Sequence, residues 1–400
     1  MKKKILIIGA GASGLMAGIQ AARAGADVTI LEKNDRPGKK LLASGNGKCN
    51  LTNLCLSDEN IRSSHHPQAM NIIRSFPNEK VLDFFHGLGL STIEKNGWVY
   101  PVTDQSASVL KVLLMEAEFL KIKIKTKESA RNISMKGDQF LVRTDTWEYT
   151  GGALIIACGS PASAVQGSAG DALVFAEEMG VRTIPFMPAL VPLRLKGGGY
   201  SRWSGIRFRG SVTLLINNVP LITDSGILQT TDYGISGIPV FQISRYAVRT
   251  LYENKSDAVS VRIDFVPDCS ERELEEELFS RKERCPYKTM RQLLSGMLPE
   301  KLIPFLLPKE CPADKNNIRL VTEILKNFTA QVRDSAGLKY AQVCSGGVPL
   351  SELTEKLESR RIRNLYFTGE AVDVDGMCGG YNLQWAWSSG HAAGNAATEI

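Results

Sequence analysis

The chain opens with an uninterrupted apolar run, Ile5 to Ile8, which Gly9 breaks. Apolar and small residues then recur at helical spacing from Ser13 to about Ala24, Gly25 stops them, and Val28 to Leu31 form a second apolar run. Short runs without polar alternation mark parallel strands covered on both faces, and a 3.6-residue period marks a helix. The pattern therefore predicts strand, helix and strand before Lys33. Runs at Lys121 to Lys125, Phe140 to Thr144, Leu154 to Ala157 and Leu365 to Thr368 predict further strands of the same domain. From about Asn382 a helix is expected, with Leu383, Ala386, Trp387 and Gly390 on one side.

The texture changes at Pro188. Short β-branched runs, "SVTLLI" and "VSVRIDF", alternate with Gly and Asn turns as far as Val266, which predicts a β-rich insertion. From Ser270 the pattern turns helical, opening on a capping box formed by Ser270 and Glu273. "QVCSGGVPL", from Gln342, returns the chain to the first domain. The expected domains are 1–187 with 342–400, a β-rich 188–266, and a mainly helical 267–341.

Gly9, Gly11 and Gly14 stand in G-x-G-x-x-G spacing where the first strand meets its helix. In a dinucleotide-binding unit these positions serve the tight turn, the close approach of backbone to pyrophosphate, and the contact of helix with strand. Ala12 and Ser13 lie in the first helical turn, whose N–H groups attract an anion. Glu32 follows Gly11 by 21 residues. Its carboxylate suits a ribose 2′-hydroxyl and repels a 2′-phosphate. The Met-Lys-Lys-Lys start before an apolar stretch also fits a secretion signal, but Gln20 and Arg23 interrupt the stretch and a second strand follows directly. A cytoplasmic protein is expected. No later segment approaches the roughly 18 apolar residues of a membrane span.

Composition narrows the picture. Four hundred residues exceed one ordinary core, and 43% hydrophobic with 22% charged is a soluble globular balance. The net charge of +6 is scattered, so no nucleic-acid partner is expected, although it suits an anionic ligand. Eight cysteines without paired C-x-x-C spacing read as reduced thiols, and four histidines show no metal spacing. Cys49 and Cys55 are separated by five residues, where flavin disulfide reductases use four.

Two further segments say which dinucleotide. "RPGKKLLASGNGKCNLTN", Arg36 to Asn53, follows where a plain NAD domain would start another βα unit. With Lys33 just before it, Lys40, Ser44, Gly45, Asn46, Gly47, Cys49 and Asn50 are its candidate contacts, backbone amides included. At the far end Gly369 and Glu370 close a predicted strand. Gly379 and Gly380 then turn into the last helix, whose first residues Asn382, Leu383 and Gln384 face the ligand. A helix N-terminus contributes roughly 0.3–2 kcal/mol to a nearby negative charge.

These blocks, with "ACGSPASAVQGSAGDAL", "PALVPL", "TTDYGISGIPVFQISR" and "LLSGMLP", occur in an order that resembles the HI0933-like flavoproteins over nearly the whole chain. The resemblance implies an α/β fold: a Rossmann-type FAD-binding domain of the two-dinucleotide-binding type, with an inserted barrel-like β-rich domain and a small helical domain. It implies tight, non-covalent FAD, with the first glycine turn on the ADP half and Ser129 and Ala130 beside the adenine. Ala157, Cys158 and Gly159 would lie near the adenosine, and "SGNGKCN" and "GGYNLQ" along the flavin. The chain departs from the family pattern at Ala157 to Ser160, where a second glycine is usual, and near Val181, where a histidine is usual.

The flavin carries such chemistry, and the protein orients it. Tyr233, Ser236 and Tyr381 are the candidate catalytic residues, for a small-molecule substrate stacked over the ring. The favoured activity is NAD(P)H-driven reduction of a conjugated C=C bond in an enone, as in a steroid- or bile-acid-like molecule. An oxygen-using amine oxidase and an RNA-modifying flavoprotein are the alternatives.

Overall fold

In the computed structural model the run Lys4–Ile8 is the central strand of a parallel sheet. Ala153–Ile156 and Asp27–Glu32 flank it, with Leu365–Phe367 and Lys123–Thr126 outermost, and every pairing is parallel. Ile5, Ile7, Leu154, Ile155 and Ile156 are fully buried. Both faces of these strands are covered, which is why their sequence does not alternate. The run at Phe140 to Thr144 belongs to a separate antiparallel sheet, Ala130–Lys136, Gln139–Thr144 and Glu148–Gly151. The structure describes residues 2–163, 167–307 and 311–399, so residues 164–166 of the "ACGSPASAVQGSAGDAL" block lie outside it.

The first helix, Ala12–Arg23, packs on one side against the sheet and on the other against the last helix, Tyr381–Ala396. Glycines make that second contact possible. A Cβ at Gly390 would lie 2.5 Å from the Ser13 carbonyl oxygen, and one at Gly394 would strike that of Ala17. The two ends of the chain are thereby held backbone to backbone.

The chain divides into two compact units, Met1–Met187 with Val343–Ile400, and Pro188–Gln342. In the second, six antiparallel strands among the described residues close a barrel in the order Leu193–Leu195, Gly234–Gly237, Val219–Thr231, Arg207–Ile216, Val259–Asp264 and Phe328–Ser335. The helix Ile238–Glu253 contributes Val240, Ile243 and Ala247 to its core.

Here the structure differs from the expected split at Val266. Leu274, Leu278, Met290, Ile318, Val321 and Leu325 share one core with the barrel strands. The last barrel strand, Phe328–Ser335, also comes from the segment read as helical. Its sequence, FTAQVRDS, buries only Val332 and Ser335, so it carries little of the apolar signal that identifies a strand. The capping box is as expected: Ser270 accepts from the Glu273 N–H, and Glu273 accepts from the Ser270 N–H.

Candidate dinucleotide site

The three glycines of the opening turn are unlike one another. Gly9 has φ +105°, and a Cβ there would lie 2.5 Å from the Ala157 carbonyl oxygen. A Cβ at Gly14 would strike the Gly9 carbonyl. Protein packing alone therefore demands both. Gly11 caps the helix with φ −84°, and a Cβ there meets nothing within 4 Å. The first-turn N–H groups, including those of Ala12 and Ser13, have no intrahelical acceptor. The turn is open at Gly11, immediately before those donors.

Glu32 ends the second strand, 7% exposed. Its Oε2 accepts from the Ala10 N–H at 3.0 Å, and its Oε1 from the Asn34 N–H and Nδ2, both at 2.8 Å. A carboxylate accepts about four hydrogen bonds. Among the described residues one position, on Oε2, is left for a hydroxyl. The Glu128 N–H donates to the Glu32 carbonyl at 3.0 Å, which sets Ser129 and Ala130 beside it. Lys33 pairs with Asp171 at 2.8 Å. Cys158 is held by Ser168, whose hydroxyl donates to its carbonyl at 3.0 Å, and burial pushes its thiol up to about 12. Gly159 follows at φ +73°.

The loop after Pro37 supplies the second half. Gly45, Asn46 and Gly47 have φ of +56°, +54° and +84°, Lys48 returns to φ −93°, and Cys49 is left-handed again at +60°; the stretch is held at its start by the Ser44 hydroxyl on the Leu41 carbonyl. Left-handed residues turn consecutive N–H groups into an acceptor-binding concavity. Each non-glycine there costs roughly 1–2 kcal/mol, asparagine least. Beyond this stretch, both polar atoms of the buried Asn50 amide have no partner among the described residues, and neither has the Thr368 hydroxyl. A buried polar group left unpaired costs about 1–3 kcal/mol. A polar ligand edge reaching these atoms would satisfy them, and such a donor set fits an extended dinucleotide.

Lys40 pairs with Glu370 at 2.8 Å, and the buried Ser160 hydroxyl also donates to that carboxylate. Three distant segments are thus tied around one charge. Gly379 accepts from Asn53 through its carbonyl, and Gly380, at φ +95°, caps the last helix with no room for a Cβ against Thr52. The side chains read as ligand contacts from this helix are occupied within the protein. Asn382 exchanges hydrogen bonds with Gly376 at 2.8 and 2.9 Å. Gln384 accepts from Thr52 at 2.6 Å and donates to Phe76 and Ser388, both at 2.9 Å. Leu383 packs on the core. Their side chains shape the loops, and the first-turn N–H groups of the helix, which have no intrahelical acceptor, are the groups left to face a ligand.

Ser160, Thr368, Trp385 and Trp387 escaped the sequence reading as site residues. The two indoles donate to the carbonyls of Gly369 and Leu51, at 2.9 and 3.0 Å, and so clamp both ligand loops. The available signal in the sequence was polar Gln384, Ser388 and Ser389 set among Trp385 and Trp387; in the structure all three are completely buried.

The catalytic candidates fall in different units. Tyr381, in the sheet unit, donates its phenol to the Cys55 carbonyl at 3.2 Å and is 7% exposed. Ser236 sits opposite Gln229 on a barrel strand. Tyr233 lines a cleft in the barrel unit, with the Arg194 guanidinium 4.7 Å from its ring centroid. Burial pushes its phenol up, and Arg194 partly offsets that. All eight cysteines are free, and burial pushes Cys49 up to about 12, away from thiolate chemistry. His391 stacks on Phe76 at 4.1 Å, and burial lowers it to about 4. Among the described residues no group of acidic, His and Cys side chains could hold a metal, and no helix is long and apolar enough to cross a membrane.

The family model of the HI0933-like protein Rossmann domain matches residues 3–396. The chain belongs to this family. It is 40% identical over 99% of both chains to a protein of Clostridium scindens named 3-dehydro-bile acid delta(4,6)-reductase. A protein of Haemophilus influenzae named ribosomal RNA dihydrouridine synthase is 27% identical over 97% of this chain and 96% of its own. Among solved structures, a flavocytochrome c3 fumarate reductase in its open conformation superposes with a TM-score of 0.51 at 14% identity, covering 99% of this chain and 78% of its own. That likeness shows a shared fold. The HI0933-like chain thus has the Rossmann-type architecture read from its opening turn.

Proposed function

We propose that this HI0933-like chain is an FAD-dependent oxidoreductase that reduces a C=C bond conjugated to a carbonyl, in an enone of steroid or bile-acid type, with NAD(P)H as transient donor. The observation that carries the reading is the 40% identity, over nearly the full length of both chains, to a protein named for bile-acid C=C reduction. FAD, when bound, supplies a two-electron carrier that takes hydride from a nicotinamide and gives it to an electron-poor carbon.

The chain's own residues divide the remaining work. The open side of Gly11 and the first-turn N–H groups receive the diphosphate, and the free acceptor position of Glu32 takes a ribose hydroxyl. Ser129, Ala130 and Ala157 to Gly159 border the adenosine. The left-handed residues Gly45 to Gly47 and Cys49, the Asn50 amide and the Thr368 hydroxyl meet the polar edge of the ring. A donor on the substrate carbonyl makes the β-carbon a better hydride acceptor, and Tyr233 and Ser236 are the hydroxyls offered for this. Tyr381, its O–H directed to Cys55, is a packing residue in this reading.

A second reading has its own support. Relatives at 27% identity are named for dihydrouridine formation in ribosomal RNA. A uracil ring presents the same C=C–C=O unit, so the same hydride chemistry would act on a base. The test is to purify the yellow protein, reduce it anaerobically with NADH or NADPH, and add an enone. Rapid return of the oxidised spectrum with a saturated ketone as product is expected, and only slow return with oxygen. Reoxidation by a uridine-containing RNA but not by the enone would favour the second reading. Fast peroxide formation with an amine would sink the reductase, and a colourless protein that takes up no FAD would sink both.

A further inference from the structure

Buried hydroxyls of the sheet unit find acceptors within the protein. Thr52 donates to Gln384 at 2.6 Å, Ser106 to the Leu42 carbonyl at 2.7 Å, Ser388 to that of Phe76 at 2.8 Å and Ser389 to that of Trp385 at 2.6 Å, while Ser160 donates to Glu370. Thr368 and Ser345 stand apart: both are buried, Ser345 with 1% exposure, and neither hydroxyl has a partner among the described residues. Burying a hydroxyl without an acceptor destabilises a fold.

Ser345 lies in the strand Val343–Gly347, every residue of which is buried. Successive side chains of a strand leave opposite faces. The Cys344 thiol lies against the Ser160 hydroxyl, beside Glu370 and Lys40, so the cluster that ties three segments together closes that face. The Ser345 hydroxyl leaves from the other face, where no polar group of the described residues meets it. The backbone that follows is fixed. The Gly346 N–H donates to the buried Asp373 carboxylate at 3.0 Å, the Val348 N–H to the Ala371 carbonyl and the Asp373 N–H to the Val348 carbonyl, both at 2.9 Å. Gly347, at φ +126°, lies so close to the same segment that a Cβ would stand 2.7 Å from the Val372 carbonyl carbon. Ser345 is thereby locked alongside residues 369–373, which start directly after Thr368. Neighbouring pieces of backbone carry the two unpaired hydroxyls.

We propose that Ser345 is a contact of the flavin, its hydroxyl donating to a carbonyl oxygen on the polar edge of the ring, with Asn50 and Thr368. Position argues for the flavin half: the opening turn, Glu32 and Ser129 serve the diphosphate and adenosine, whereas the segment beside Ser345 leads from Thr368 to the glycine turn at Gly379 and Gly380. Chemistry argues for a carbonyl, because a hydroxyl brings a single donor and the ring carbonyls are acceptors. The contact rests on the FAD part of the proposed function and not on the enone.

Urea unfolding of the apoprotein, release of FAD from the holoprotein on dilution and the midpoint potential of the bound flavin test it. Ser345→Ala should leave the apoprotein as stable as wild type or more so, since the lost hydroxyl has no protein partner. FAD should be held about threefold to tenfold more weakly, as for one net hydrogen bond. Hydrogen bonds to charged acceptors are about twice as strong as neutral ones, so the electron-rich reduced flavin should lose about threefold to tenfold more than the oxidised form. That lowers the potential by about 15–30 mV. Ser345→Cys, with a weak donor, should fall between alanine and wild type. Ser388→Ala, which strips a paired hydroxyl, should do the reverse: a lower urea midpoint and an unmoved potential. Wild-type affinity and potential in Ser345→Ala overturn the contact. A less stable apoprotein with unchanged FAD binding also overturns it, and gives the hydroxyl a buried water as partner. Weaker FAD with an unmoved potential overturns the ring carbonyl in favour of the ribityl chain, and unchanged FAD with a raised KM for a 3-oxo-Δ4 steroid overturns it in favour of the substrate. A wild-type chain that takes up no FAD sinks the flavoenzyme reading and the contact together. Failure of enone reduction, with affinity and potential shifted as stated, leaves the contact standing and sinks only the reductase.

Discussion

Two glycine-rich loops, one in each unit, are built on opposite principles. In the opening turn Gly9 and Gly14 are pressed against carbonyl oxygens, and only Gly11 faces open space. In the barrel loop Gly197–Gly199, a Cβ at Gly198 meets nothing within 4 Å, and one at Gly197 meets only the Tyr200 hydroxyl, at 3.6 Å. The first loop is shaped by the protein around it and keeps one ligand-facing position. The second is shaped by two left-handed residues, Gly197 and Gly199, by the Tyr200 hydroxyl on the Lys196 carbonyl and by Arg202, which donates to the Gly199 carbonyl. Glycine spacing alone therefore does not say what a glycine is for.

Substitutions can break or sharpen this contrast. The largest effect is expected from Gly14→Ala, which puts a methyl group into the Gly9 carbonyl. A loss of about 3 kcal/mol or more should appear in urea unfolding of the apoprotein, before any cofactor is considered. Glu32→Gln comes next. The amide must turn an N–H₂ toward one of three N–H donors, and about 1–3 kcal/mol of stability should go, with FAD affinity falling alongside. Asn50→Ala should separate the two quantities. It removes a buried amide that has no partner among the described residues, so the apoprotein should be as stable as wild type or more so. FAD should nevertheless dissociate about threefold to tenfold more readily, the worth of one net hydrogen bond. The smallest effect belongs to the barrel loop: Gly198→Ala should move the unfolding free energy by no more than about 0.5 kcal/mol.

The same contrast explains what could be read from the sequence. The parallel sheet was legible because Ile5 to Ile8 and Leu154 to Ile156 are buried on both faces and carry no polar interruption. The opening turn was legible because its fixed packing imposes a fixed spacing. Phe328–Ser335 was not legible as a strand, since the barrel buries only two of its residues and its pairing is set by partners more than 60 residues away. The last helix was legible as a helix whose N-terminus faces a ligand, but not in what its side chains do. Asn382 and Gln384 were read as ligand-facing because they open that helix after a glycine turn. Only the folded chain shows them bonded to Gly376, Thr52 and Phe76. The cleft lined by Tyr233, Arg194 and Arg333 was invisible for a simpler reason: its two arginines are 139 positions apart in the chain and meet only because the barrel closes between their strands.

The most direct measurement is an FAD titration of wild-type and Gly11→Val apoprotein, followed by flavin absorbance and paired with urea unfolding of both. Valine suits the extended backbone at Gly11, φ −84° and ψ −170°, and its side chain enters the open space. The two apoproteins should unfold at the same urea concentration. Wild type should bind one FAD per chain, and the variant should bind it at least about a hundredfold more weakly, the equivalent of about 2.7 kcal/mol. A Gly11→Val protein that takes up FAD like wild type would contradict the assignment of the opening turn to the dinucleotide, and with it the flavoenzyme account.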